Sequence, residues 1–98
     1  MARTDAKASK GKPKTGSYIV KNIFHGGYTP VIAMATQFKV LMFCGEWLPI
    51  KRHRSRHARA SDMVSVLTHG VRIRSAADVR RRHPAFADAK VVDPRELL

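Results

Sequence analysis

The side chains able to do chemistry in this sequence are few and poorly grouped. Cys44 is the single cysteine, so an intrachain disulfide and a cysteine-based zinc cluster are both excluded. It lies in an apolar run, where a thiol is expected to behave as a small buried hydrophobe and stay protonated. His53 and His57 are four residues apart, a spacing that can hold a metal on a helix, but they stand among arginines, with no cysteine or carboxylate close in sequence. The acids are scattered, with no evident pair for acid–base work, and the glycines form neither a Walker nor a dinucleotide-binding pattern. The expectation is a chain with no catalytic residue, no cofactor and no metal site.

What remains is charge. Nineteen Lys and Arg stand against seven Asp and Glu, a formal net charge of +12. Self-repulsion of that size favours a polyanionic partner: nucleic acid, or a membrane face rich in anionic lipid such as cardiolipin. The densest cluster is KRHRSRHAR at 51–59, which makes Lys51, Arg52, Arg54, Arg56 and Arg59 candidate polyanion contacts. Arg80, Arg81 and Arg82 form a second group; on a helix, three consecutive residues wrap the surface instead of lining one face.

Four zones would position these residues. Residues 1–16 contain no large apolar side chain after Met1 and read as a basic flexible tail. No secretory signal is recognisable there, and glycine and proline interrupt any transit-peptide helix. Residues 17–29 form an aromatic lead segment. Residues 30–50, PVIAMATQFKVLMFCGEWLPI, are the dominant apolar run. Residues 51–98 form a basic C-terminal segment of short helices.

The apolar run carries the fold expectation. Pro30 suits a first helical turn and Pro49 a stop, with good helix formers between. They frame one helix over 31–48, about 27 Å long at 1.5 Å per residue, near the ~30 Å of a bilayer core. Its nearly continuous apolar circumference fits a single transmembrane span, or a helix buried in an assembly. Lys39 and Glu46, seven apart, would project on one side as intramembrane polar contacts with a neighbouring subunit. Tyr28 and Trp47 stand where interfacial aromatic residues belong. The expected class is therefore mainly α: one long apolar helix, a basic N-terminal tail and short C-terminal helices. Among the latter, Ser61 and Asp62 can cap a helix stopped by Gly70, with a β-hairpin over MVSVLTHGVRIR as the rival. Ser75 can cap another that ends before Pro84.

Over residues 24–36, FHGGYTPVIAMAT, the chain resembles the accessory subunit k family of mitochondrial ATP synthase, through Phe24, Gly26, Tyr28, Pro30, Ala33, Ala35 and Thr36. The likeness covers under a quarter of the chain. It departs from the family at Lys39, at Glu46 and in the long arginine-rich C-terminal half. The resemblance implies a non-catalytic membrane subunit that aids assembly. The resulting expectation is an accessory subunit of an energy-converting complex in the mitochondrial inner membrane, partnered by other subunits and anionic lipid. The alternative is a small basic rRNA-binding protein of an organellar ribosome in the mitochondrial matrix, with Tyr18, Phe24, His25 and Tyr28 available to stack on unpaired bases.

Overall fold

A computed structural model describes residues 15–23 and 25–97. The basic tail reading falls almost wholly on residues outside this range, as does Phe24. The described chain runs β1 (Gly16–Lys21), β2 (Tyr28–Ala33), β3 (Gln37–Leu41), β4 (Trp47–Lys51), α1 (Arg56–His69), α2 (Ala76–Arg82), a 3-10 turn at Pro84–Phe86, β5 (Lys90–Val92) and a second 3-10 turn at Pro94–Leu97. The strands form one sheet in the order β4-β3-β2-β1-β5. β1 to β4 are an antiparallel meander, and β5 returns parallel to β1.

The expected mainly-α fold and its long helix are overturned. Residues 30–50 contribute to three strands, the fold is mixed α/β, and among the described residues no helix is long and apolar enough to cross a membrane. The continuous apolar run has a different cause. β2 and β3 are interior strands, so several of their residues on both faces are covered, and such strands lose the clean alternation that marks a half-exposed one. Val31, Ile32 and Val40 favour the pleated backbone. The run is broken by two turns: one at Ala35–Thr36, and one at Phe43–Gly45, where Gly45 takes φ +91°, a conformation open to glycine at little cost.

Pro30 is not a helix start but a residue of the central strand β2, fully buried. A proline there leaves its neighbour without a ladder donor. The register sets Pro30 against Leu41, and the Leu41 carbonyl accepts instead from Val71 N–H at 2.9 Å. The segment after α1 thus closes the gap: Ile73 and Tyr28 exchange both backbone hydrogen bonds, and Thr29 Oγ1 donates to the Val71 carbonyl at 2.6 Å. Gly27 lies beside this join. Its φ is +82°, and a Cβ there would come 3.0 Å from Arg72 Cβ.

Each sheet face has its own core. On the first, Val20, Val31, Ala33, Phe38, Val40, Ile50 and Val92 pack with Met63 and Leu67 of α1 and with Leu97. On the second, Ile19, Ile73, Val79, Phe86 and Ala89 gather beneath α2 and the 3-10 turn that follows it. The helix α1 starts earlier than Ser61: Ser55 is its N-cap, accepting from Ala58 N–H at 3.3 Å, and the helix stops at His69 before Gly70. The hairpin rival over 63–74 is therefore not formed. Ser75 caps α2, accepting from Asp78 N–H at 3.1 Å, and α2 ends before Pro84.

Candidate nucleic-acid interface

The fold divides the basic side chains into those that hold the chain together and those that face outward. Arg52 donates to the Met34 carbonyl at 2.7 Å and lies over the Phe38 ring, 5.2 Å from its centroid. Burial, with repulsion from Arg59, pushes its guanidinium below the usual arginine range. Arg59 donates to the His53 carbonyl, and Arg80 to the Ala89 carbonyl at 3.0 Å. Arg81 pairs with Asp78. Near the C-terminus, the Arg95 hydrogen bond holds the Asp93 carboxyl below the usual carboxylate range.

Lys51, Arg54, Arg56 and Arg82 are exposed, and Lys39 is half-buried. No ion pair among the described residues involves any of the five. Four of them lie between β3 and the start of α1 along the chain. Lys39 is on β3, Lys51 ends β4, and Arg54 and Arg56 flank the Ser55 cap of α1. The first turn of α1 holds no acid to offset its partial positive charge. Arg56 also lines, with His57, Ala60 and Arg95, a shallow hollow of about 310 Å³. Arg80, Arg81 and Arg82 are on α2, and no described hydrogen bond or ion pair joins them to the 51–59 segment. The sequence thus named eight polyanion contacts as one class. Of these, Arg52, Arg59 and Arg80 also donate to backbone carbonyls, and Arg81 pairs with Asp78 while its side chain stays 72% exposed.

Lys39 and Glu46 do not share a helix face. Lys39 points to the second sheet face, and Glu46 is exposed in the turn between β3 and β4. Cys44, expected to be buried, is exposed in the same turn. His53, expected to lack a carboxylate, has Nε2 2.7 Å from Asp62 Oδ2, because α1 brings Asp62 back over the loop. Among the described residues, no three His, Cys, Asp or Glu side chains gather as a metal site would need.

The helix α1, which carries Arg56, packs on the first sheet face, whereas Lys39 and Lys51 are on the second. Alternation places Gln37, Lys39 and Leu41 of β3 beside Lys51, Pro49 and Trp47 of β4 on this face. Toward the β3–β4 end, Gln37 and Lys39 are half-buried, and Pro49 and Lys51 exposed. On the opposite face, Phe38 and Ile50 of the same strands are 1% and 5% exposed. Trp47 marks the border. Its ring stacks on Phe86 at 6.0 Å between centroids and 7° between planes, yet 36% of the residue is open to solvent.

Two acids border this surface: Glu46 is exposed immediately before Trp47, and Asp62 lines a hollow with Pro49 and Lys51. β1 to β4 contain Lys21, Lys39 and Lys51 and no Asp or Glu. Between Asp5 and Asp62 the chain has one acid, Glu46. The others are on α1, on α2 and after it, where Asp62, Asp78 and Asp93 are taken up by His53, Arg81 and Arg95. The helix reading missed that Trp47, Lys39 and Lys51 share one sheet face. The signal was present as period-two alternation in QFKVL and WLPIK, where every second residue from Gln37 and from Trp47 faces one way. Comparison of the chain with family models, with curated proteins and with solved structures finds no match.

Proposed function

We propose that this chain is a non-catalytic binding module for nucleic acid, working as a small basic RNA-binding subunit of a larger ribonucleoprotein assembly such as an organellar ribosome. The observation that carries this reading is a set of cations without an ion pair among the described residues, Lys39 and Lys51 on the second sheet face and Arg54 and Arg56 at the start of α1. Side chains held by neither an acid nor a carbonyl can exchange water and counterions for phosphate, and release of those counterions drives binding. A membrane-spanning reading has lost its helix. The sheet face instead offers separated cations with an aromatic ring at their border, which suits a phosphate backbone bearing bases.

The test is binding of fluorescein-labelled RNA by anisotropy between low and physiological salt, with anionic vesicles as the competing surface. The logarithm of affinity should fall linearly with the logarithm of salt. Replacing Lys39, Lys51, Arg54 and Arg56 together by Gln should flatten that slope by about 3 for single strands, four contacts at ~0.7 each. Absence of RNA binding at low salt, or a slope unchanged in the quadruple variant, would overturn the proposal. Binding to vesicles alone would transfer the surface to lipid.

A further inference from the structure

We infer that Trp47 is a base-stacking platform that makes this surface select unpaired nucleic-acid strands over duplex. The inference rests on the nucleic-acid reading above and adds which form of nucleic acid is taken. Stacking gains most when the ring is held before the base arrives, since an ordered side chain loses no further freedom on binding. Trp47 is held in this way. Phe86 lies parallel to it, Phe86 is itself 2% exposed, and the His83 ring meets Phe86 edge-on at 6.3 Å and 77°. Phe86 takes up part of the indole, and the exposed remainder borders the open end of the sheet.

The cations stand at nucleotide-scale distances from that ring. Trp47 and Lys51 are on one face of one strand, four residues apart, about 14 Å at ~3.4 Å per residue. Lys39 is paired with Pro49, midway between them. A strand stacked on Trp47 and running along β4 would set its phosphates near Lys39 and then Lys51. A duplex cannot use the ring, because its bases are stacked on one another and their faces are closed.

The main rival occupant of this edge is another protein strand added beside β4, and the backbone opposes it. Met42 N–H bonds to the Glu46 carbonyl, and Arg52 N–H to the Thr36 carbonyl. By alternation, Leu48 and Ile50 also turn their backbone groups inward to β3, and Trp47, Pro49 and Lys51 turn theirs outward. The central outward position is therefore a proline with no N–H, a common guard against edge pairing.

Trp47 is the single tryptophan, so its own fluorescence reports the event. The full chain is titrated with oligouridylate, with oligothymidylate and with a blunt duplex, each of roughly twelve nucleotides per strand, within the site sizes of single-strand binders. Both single strands should quench Trp47 as they saturate, and the duplex should bind more weakly and leave the emission nearly unchanged. Trp47→Leu should lose about 5- to 100-fold in single-strand affinity, as loss of one stacked base does, with duplex affinity unchanged. Trp47→Phe should retain most of it. Circular dichroism and thermal melts establish that each variant is folded, and the wild-type quenching needs no variant. Single-strand binding without quenching, or equal losses for both forms in Trp47→Leu, would overturn the inference and leave the phosphate-binding proposal standing. If nothing binds at low salt, both fail.

Discussion

The two faces of the sheet use the same strands for different ends. On the first face, Phe38 and Val40 of β3 and Ile50 of β4 are buried under α1 with Met63 and Leu67. On the second face, the residues between and beside them, Gln37, Lys39, Pro49 and Lys51, stay half-buried or exposed. A period-two backbone allows a strand to support a core and a binding surface at once, because neighbouring side chains never compete for the same side. The difference comes from what covers each face. The helix α1 has 14 residues and packs across the first core, whereas α2 has seven and covers the second core around Ile19, Ile73 and Val79.

The comparison can be broken at its most buried point. Phe38→Ala removes a 1%-exposed ring that packs in the first core and lies under the Arg52 guanidinium. It should cost about 3–5 kcal/mol of stability in urea unfolding. A loss below about 1 kcal/mol would mean that the first face is not the tight one. A smaller effect is expected at Asn22, which is 2% exposed. Its Nδ2 donates to the Leu67 carbonyl at 3.0 Å, and its Oδ1 accepts from His25 N–H at 3.0 Å. Asn22→Ala leaves both backbone groups without that partner and should cost about 1–3 kcal/mol. Hydrogen exchange should then report earlier opening at the end of α1, and unaltered protection there would refute the role of Asn22 as a tie between β1 and α1. The smallest stability effect is expected on the open face. Lys39→Gln with Lys51→Gln should change stability by no more than about 0.5 kcal/mol, while reducing the salt slope of single-strand RNA binding by about 1.4. A large stability loss without a binding defect would show that these lysines serve the fold.

Local chemistry was legible where it acts over a few residues. Ser75 and Pro84 bracket α2 because a side-chain cap and a following proline set a helix end without help from distant contacts. The stop at Gly70 and the net charge of +12 are of the same kind. Residues 30–50 were not legible in this way. Their prolines, apolar continuity and length match a helix frame, and what makes them strands is pairing with partners distant in sequence: β1 against β2, and Val71 supplying to Leu41 the donor that Pro30 lacks.

The division among the arginines was likewise beyond local reading. Arg52 and Arg54 are two residues apart in one basic run, yet one reaches the Met34 carbonyl and the other is exposed. By itself the sequence determined a strong positive charge, the absence of a second cysteine and the ends of α2, because these depend only on composition and on neighbouring residues. The tertiary structure alone decided that the apolar run would pleat into a sheet and that Trp47, Lys39 and Lys51 would share one surface. Strand pairing and side-chain alternation are long-range properties, and a change of one residue in register would have turned those three side chains into the core.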